Sequence, residues 1–373
     1  MLTNEALLEK IHLVVEKLMN LGGCDSAKDK SVSSSDTQKG IIQRDFGIEE
    51  WDWPQGVGLY GLYKLQDFYD DNRYLSFFQN WYSGHVAKGF PSKNINTTAP
   101  FLPLSFLYDS FENKETFHTL CKERADWLIH DLPKTRDNGF QHVTSAIGNR
   151  DGVTLNEGQL WIDTLFMSVL FLNKMGYQEK NPIWKDEALH QVLVHIKYLF
   201  DRQTGLFHHG FRFDQMDNFG EIFWCRGNSW FTYGIVEFLD TCNDEISPGV
   251  RAFLIDTYRS QTDALLKLQA PSGLWRTVLT DETSYEEVSG SSAIAAGLLK
   301  GIKAGILDHT YQPAADRAIE AICNQIAPDG TVLNVSAGTG IGMDKDHYKN
   351  VLLMPMAYGQ ALALTALCEA LEK

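Results

Sequence analysis

The chain has 373 residues, of which 44% are hydrophobic and 22% charged, a composition typical of a globular protein with a large core and not of a disordered one. Its formal net charge of -15 would repel nucleic acid and an anionic membrane surface, so neither is expected as a partner. An anionic substrate would have to be held by local positive charge.

No targeting or membrane segment is predicted. The first 23 residues mix acidic residues with helical periodicity, unlike a secretory signal, and no apolar run is long enough to span a bilayer. The six cysteines lack metal-ligand spacing and fall mostly in apolar helical contexts, which indicates reduced thiols. We therefore expect a cytoplasmic protein without metal or other cofactor; the sequence leaves open whether it forms a homo-oligomer.

Helical periodicity dominates the chain. Apolar residues recur at three- and four-residue spacing in segments 7–18, 57–68, 117–128, 160–172, 189–199, 230–239, 250–268, 292–306, 314–326 and 356–371. Two weaker segments, 74–85 and 99–108, bring the total to about twelve helices. Convincing alternating strands are nearly absent, so the predicted fold class is all-α.

Glycine-containing turns recur between the helices. Gly139, Gly205, Gly273 and Gly330 each precede an aromatic or branched residue and are roughly 60 to 70 residues apart, which favours a repeated helix pair. Alternatively, each glycine simply ends a helix. Twelve helices in six pairs can close into an (α/α)6 barrel. We predict one such domain over residues 1–373, with a flexible Ser-rich loop at 24–39.

Several tryptophans are candidates for binding a carbohydrate, because indole rings stack on the apolar faces of sugars. Trp53, Trp224 and Trp230 are the better candidates, whereas Trp127 and Trp184 at helical spacing are more readily explained as core residues. Arg226 lies between two of these indoles, and its planar guanidinium suits a carboxylate such as that of a uronic acid. The alternative is that Arg226 caps a loop or pairs with a structural acid.

Asp163 is the leading catalytic candidate. It is a single carboxylate in the apolar run LWIDTLFM, and burial there would raise its pKa, as a general acid near neutral pH requires. Its alternatives are a helix N-cap and a satisfied core acid. His142 and His209 each follow a glycine turn and would reach the same rim of a barrel. A zinc site is not expected, because no acidic third ligand is spaced near them.

Five motifs together resemble a known family. They are WPQG at 53–56, NIN at 94–96, WIDTLFM at 161–167, GLFHH at 205–209 and WCRGNSW at 224–230. In order and over most of the chain they are similar to the unsaturated rhamnogalacturonyl hydrolases, glycoside hydrolase family 105. The resemblance implies an (α/α)6 barrel that removes a 4,5-unsaturated uronic acid from the non-reducing end of a lyase product.

The resemblance also implies roles for individual residues. Asp163 matches the general acid/base of the family; the residues predicted to bind the substrate are Trp53, Asn94, Asn96, His142, His209, Trp224, Arg226 and Trp230. Some members have an aspartate two residues before Ile95-Asn96, where this chain has Lys93, or Asn94 if the loop shifts. A second carboxylate is therefore not assured. Segment 143–159 is longer than in the family and is expected to reshape the rim of the pocket.

The implied chemistry is hydration of the C4=C5 double bond, for which one carboxyl group suffices as proton donor and then as base, whereas ordinary glycosidases use two. The sequence keeps three alternatives open. They are a hydrolase of unsaturated glucuronyl residues from glycosaminoglycan-like or algal oligosaccharides, a sugar epimerase using His142 and His209, and a non-catalytic carbohydrate-binding protein. The last has little use for the buried acid Asp163.

Overall fold

The computed structural model describes residues 2–22, 47–147, 149–243 and 245–371. The predicted loop at 24–39 lies outside these residues. The helices are α1 Asn4–Met19, α2 Trp53–Tyr69, α3 Leu75–Lys88, α4 Phe101–Leu107, α5 Lys114–His130, α6 Leu170–Gln178, α7 Pro182–Leu199, α8 Cys225–Cys242, α9 Pro248–Leu268, α10 Val288–Lys303, α11 Gln312–Asn324, α12 Lys345–Lys349 and α13 Ala357–Ala370. All twelve predicted helices are present; α12 was not predicted.

Short antiparallel strand pairs connect the helices. The strands are β1 Thr144–Ser145, β2 Val153–Thr154, β3 Gln159–Trp161, β4 Phe200–Asp201, β5 Leu206–Phe207, β6 Gly210–Arg212, β7 Trp275–Arg276 and β8 Glu286–Glu287. They form the two-stranded sheets β1–β2, β3–β6, β4–β5 and β7–β8. None of these strands is longer than three residues, so the periodicity of the sequence could not reveal them.

Among the described residues, six helices form a closed inner ring. Helices α2, α4, α6, α8, α10 and α13 each pack against the next in this order, and α13 packs against α2 to complete the circle. The outer helices α1, α7, α9 and α11 pack on the ring. This is the (α/α)6 barrel that the sequence predicted. The assignment of 1–373 to one domain stays a prediction.

Inner and outer helices differ in their apolar surface. In α13 every residue from Ala357 to Cys368 is buried, as expected for a helix that is enclosed on all sides. In the outer helix α11, Ala315, Ile319 and Ile322 are buried, whereas Glu320 is exposed. This amphipathic pattern is typical of a helix with one face on the core and the other in water.

The glycine turns confirm the repeat. Gly205, Gly273 and Gly330 have φ of +77°, +100° and +82°, values that favour glycine. At each, an added Cβ would come closer than 3.0 Å to a backbone oxygen of the following outer helix, in α9, α11 and α1 respectively. The turn at Gly330 therefore packs on α1, where the ring closes. Gly139 is the exception, since its φ is -68°.

The amino ends of the inner helices gather at one end of the ring. Trp53 at the start of α2 stacks on Tyr358 at the start of α13, with ring centroids 4.5 Å apart. Arg226 in the first turn of α8 donates to Ser289 Oγ in the first turn of α10 over 3.1 Å. Asp163 lies at the start of the helical segment that continues into α6. The predicted site therefore occupies this end.

The opposite end holds a cavity of about 760 Å³, lined among others by Lys64, Leu299 and Cys368 near the carboxyl ends of inner helices. Beside it, the buried Glu237 lies 2.7 Å from Lys300 Nζ and 3.3 Å from Lys64 Nζ. These two lysines outweigh burial and hold the pKa of Glu237 below its usual range. No helix in the described part of the chain is long and apolar enough to cross a membrane.

Candidate active site

A strand pair brings Asp163 and His209 together. In the antiparallel pair β3–β6, Trp161 is opposite Gly210, and the Ile162 N–H donates to the His209 carbonyl over 3.0 Å. The sequence predicted one helix over 160–172, but its first residues form β3 and the helical segment begins at Asp163. Apolar periodicity over so short a run does not separate the two structures. The strand pair thus brings together Asp163 and His209, which are 46 positions apart in the sequence.

A π-helix follows Asp163. Residues Leu165–Val169 have π-helical hydrogen bonding, a rare geometry that is frequent at functional sites. Within it, the Ser168 hydroxyl donates to the Ile95 carbonyl over 3.3 Å. This contact holds the segment of Asn94 and Asn96 against the helix that carries Asp163.

The Asp163 carboxylate is nearly buried, with 15% of its side chain exposed. Trp230 Nε1 donates to Oδ1 over 3.1 Å. His209 Nε2 lies 3.2 Å from Oδ2, but the two are not aligned as a full hydrogen bond and neither atom has another partner among the described residues. Each oxygen thus has one neighbouring N–H-bearing ring, and part of the side chain stays exposed.

The predicted rise in the pKa of Asp163 is wrong. Burial does raise this pKa, but the contact with His209 and the positive charge of Arg226 outweigh it, and the pKa of Asp163 lies below its usual value. Apolar sequence neighbours could not reveal this, because both opposing groups come from other parts of the chain. The free site therefore favours the carboxylate form.

His142 and His209 are both buried and neutral. His142 Nδ1 is 2.8 Å from Thr164 Oγ1, and its ring stacks on Trp161 with centroids 4.5 Å apart. Burial lowers the pKa of His142 to about 3. Burial also lowers the pKa of His209, against the opposing effect of Asp163. Both rings lie beside Asp163, as predicted, but with 2% of each exposed they support the site more than they line it.

Arg226 lies beneath the site. It is 0% exposed, and its Nη2 donates to the Ala337 carbonyl over 2.9 Å and to Thr339 Oγ1 over 3.1 Å. Its Nη1 donates to the Ser336 carbonyl over 2.9 Å and lies 3.9 Å from the buried Glu287 carboxylate. The predicted bidentate contact with a uronate would have to displace these partners. This geometry favours the alternative that Arg226 pairs with a structural acid and organises the loop at 336–339.

The aromatic residues divide into an accessible and a buried set. Trp53 and Trp161 are half-buried, whereas Trp224 and Trp230 are 1% and 0% exposed. Trp224 packs on the His209 ring at 4.3 Å. Trp53 and Trp161 are therefore the rings that can stack on a sugar, and Trp224 and Trp230 hold the polar groups in place.

Of the two predicted asparagines, Asn94 is buried and Asn96 is accessible. Asn94 is 1% exposed; its Oδ1 accepts from Thr97 N over 3.0 Å and its Nδ2 donates to Ser145 Oγ over 3.1 Å. It therefore holds its own loop and the rim. Asn96 is half-buried and available to a ligand. Lys93, where the family resemblance raised the question of a second carboxylate, is exposed. Within segment 143–159, strands β1 and β2 pair antiparallel.

Sequence reasoning missed four residues of this site. Trp161 begins the motif WIDTLFM but was not assigned to the site; Glu287, Tyr348 and Tyr358 carried no local signal, since they lie in segments far from the motifs. Tyr348 Oη is 2.8 Å from His209 Nδ1. In the described ranges, no three or more His, Cys, Asp or Glu side chains are grouped so that they could hold a metal ion.

Comparison with known proteins identifies the class of enzyme. The pattern of Glycosyl Hydrolase Family 88 matches residues 28–373, nearly the whole chain. The chain belongs to this family and is a glycoside hydrolase. Together with the relatives that follow, this match confirms the family resemblance found in the motifs.

Individual relatives have more specific names. The unsaturated rhamnogalacturonyl hydrolase YesR of Bacillus subtilis is 29% identical over 89% of this chain and 93% of its own. An unsaturated 3S-rhamnoglycuronyl hydrolase of Formosa agariphila is 32% identical over 77% of each chain. A crystal structure from Salmonella enterica, described as a possible member of family GH105, has a TM-score of 0.89 at 34% identity, covering 99% of this chain and 94% of that one.

Proposed function

We propose that the protein removes a 4,5-unsaturated uronic acid from the non-reducing end of an oligosaccharide, with Asp163 as proton donor. The proposal rests chiefly on one observation: a nearly buried carboxylate, 15% exposed, at the end of the barrel where the inner helices begin, with Trp230 and His209 beside its two oxygens. The name of the Bacillus subtilis relative favours an unsaturated galacturonyl residue from rhamnogalacturonan. The name of the Formosa agariphila relative specifies a glycuronyl and not a galacturonyl residue, so an unsaturated glucuronyl residue is the second candidate.

Substrate binding is assigned to the accessible residues. Trp53 and Trp161 stack on the sugar rings, because their half-buried indoles offer apolar faces. The half-buried Asn96 supplies hydrogen bonds to hydroxyl groups. Arg226 acts on the uronate through its charge from beneath the site, since its Nη1 and Nη2 already donate to Ser336, Ala337 and Thr339.

The reaction adds one molecule of water and needs no second carboxylate. Protonated Asp163 gives its proton to C4 as the C4=C5 bond breaks, and C5 becomes an oxocarbenium centre stabilised by the ring oxygen. Water adds to C5 and returns a proton to the Asp163 carboxylate. The resulting C5 hemiketal opens to a ketone, which turns C1 into a hemiacetal that expels the hydroxyl group of the neighbouring sugar.

The lowered pKa of Asp163 has to be reversed for this first step. In the free site the carboxylate form is favoured, but a bound uronate places a second negative charge nearby and expels water, and both effects raise a carboxyl pKa. Substrate binding therefore raises the pKa of Asp163, and the carboxylate takes up a proton. Because the active form is protonated, activity should fall as pH rises through the pKa of Asp163.

The experiment offers the purified protein lyase-made disaccharides that carry either an unsaturated galacturonyl or an unsaturated glucuronyl residue. Loss of their ultraviolet absorbance reports hydration of the double bond, and saturated analogues of the same disaccharides serve as controls. Faster turnover of the galacturonyl substrate is expected. Activity confined to the glucuronyl substrate would select the second candidate, and release of a saturated uronic acid with no turnover of either unsaturated one would refute the proposal.

A further inference from the structure

Tyr348 makes an unusual contact beneath the site. It belongs to α12, a five-residue helix with the charged sequence KDHYK, yet it is 0% exposed. Its Oη lies 2.8 Å from His209 Nδ1 and accepts the Gly342 N–H over 3.1 Å. Burial raises the pKa of Tyr348 far above its usual range, so the hydroxyl keeps its proton.

The donors and acceptors around Tyr348 Oη determine which ring nitrogen of His209 carries the proton. Gly342 N–H can only donate, so it occupies one lone pair of Tyr348 Oη. The Tyr348 hydroxyl proton then has His209 Nδ1 as its acceptor among the described residues. If Nδ1 carried a proton instead, the buried tyrosine hydroxyl would be left unsatisfied, which costs about 1 to 3 kcal/mol.

We propose that Tyr348 is a positioning residue that donates to His209 Nδ1 and thereby fixes the neutral tautomer with its proton on Nε2, facing Asp163 Oδ2. The inference rests on the proposed function, in which Asp163 is the acid. In this tautomer the Nε2–H of His209 faces Asp163 Oδ2 at 3.2 Å, while Trp230 Nε1 donates to Oδ1. Both neighbouring rings then present an N–H, and neither presents a base that competes with the substrate for the catalytic proton.

The other tautomer would have the opposite effect. An unprotonated Nε2 would face Asp163 Oδ2 at 3.2 Å and would attract the acidic proton away from the substrate. The tautomer of a histidine is generally set by the partner of its second nitrogen, and a wrong tautomer next to a catalytic group is costly. The charged and titratable groups facing this pair are His142, Arg226, His347 and Tyr348.

The test compares Tyr348→Phe with Tyr258→Phe. Tyr258 is also 0% exposed but lies away from Asp163. Its replacement by Phe removes one hydrogen bond, which the Tyr258 hydroxyl donates to the Gly297 carbonyl. Tyr348→Phe is expected to lower kcat about 10- to 100-fold, as the loss of an outer partner of a functional histidine does in metal sites, with KM changed by less than about 3-fold. Tyr258→Phe should leave kcat unchanged.

The pH profile separates a positioning role from a structural one. When His209 no longer donates reliably, the pKa of Asp163 rises, so the loss of activity at high pH should begin at a higher pH in Tyr348→Phe. The profile of Tyr258→Phe should match the wild type. If the loss of activity at high pH began at the same pH in a folded Tyr348→Phe variant as in the wild type, the inference would be overturned.

Nitrogen-15 NMR of the His209 ring gives a readout that needs no substrate. The wild type should show a protonated Nε2 and an unprotonated Nδ1, and Tyr348→Phe should show a mixture. A wild type with the proton on Nδ1 would also overturn the inference. If the protein showed the expected tautomer but hydrated none of the unsaturated uronides, the proposed function would be refuted. The role of Tyr348 in fixing the His209 tautomer would then still be supported.

Discussion

Replacing Asp163 by Asn tests the mechanism most directly. The amide keeps the shape of the carboxylate and can still accept from Trp230 Nε1, which lies 3.1 Å from Oδ1, but it cannot supply a proton to C4. General acid–base groups contribute about 10² to 10⁴ in rate, so kcat should fall by at least the lower of these factors. The proposed substrate contacts at Trp53 and Trp161 are untouched, and KM should change by less than about 3-fold.

The structure also predicts a cost in stability. The pKa of Asp163 is lower in the fold than its usual value, so the ionised group stabilises the fold above the unfolded pKa, and this contribution is lost as pH falls through the folded pKa. The Asp163→Asn variant would lose this contribution at every pH and would turn an NH₂ group toward His209. At neutral pH we expect a loss of about 1.5 to 3 kcal/mol, the range for hydrogen bonds to charged groups.

Three measurements check these expectations. Loss of ultraviolet absorbance gives kcat and KM, urea unfolding gives stability, and turnover in heavy water should place deuterium at C4 of the product of the wild type. Asp240→Asn is the matched control, because Asp240 contacts Lys300 Nζ at the opposite end of the ring. A folded Asp163→Asn variant with near wild-type kcat would refute the reasoning, and His142 or His209 would become the leading acid.

Three further outcomes follow from the site. Arg226→Ala should lower the free energy of unfolding by about 3 to 5 kcal/mol, because it leaves the buried Glu287 carboxylate without its positively charged partner, and should raise KM; a urea midpoint as close to wild type as that of the surface control Arg73→Ala would contradict this. Trp53→Ala should raise KM about 2- to 10-fold through lost stacking with little change in kcat; an unchanged KM would remove Trp53 from the pocket. Chelation should leave turnover unchanged, because proton transfer needs no Lewis acid; a loss restored by added metal would count against the mechanism.

The helical framework could be predicted from the sequence because each helix carries its own periodic apolar pattern. Even the weaker segments 74–85 and 99–108 correspond to α3 and α4. The strand pairs could not be predicted, since two or three residues contain no measurable alternation. Closure of the ring at Gly330 and α1 depends on contacts between distant segments, and only the even spacing of the glycines indicated it.

The candidate site was predictable only where chemistry lies within a motif. Asp163, His142 and His209 are brought together as expected. The lowered pKa of Asp163 was not predictable, because it arises from contacts across the barrel. The same holds for Arg226, whose partners at 336–339 lie more than a hundred residues away, and for Tyr348, which lies in a segment of otherwise charged and polar residues.

The common direction of the inner helices has an electrostatic consequence. Each helix start carries a partial positive charge of roughly half an elementary charge, and the starts of the ring helices lie around the candidate site. Their combined field decays within the first turn of each helix, whereas the net charge of -15 acts outward over about the 10 Å that salt allows. The protein can thus repel anions at a distance and still hold a uronate once it has entered the barrel.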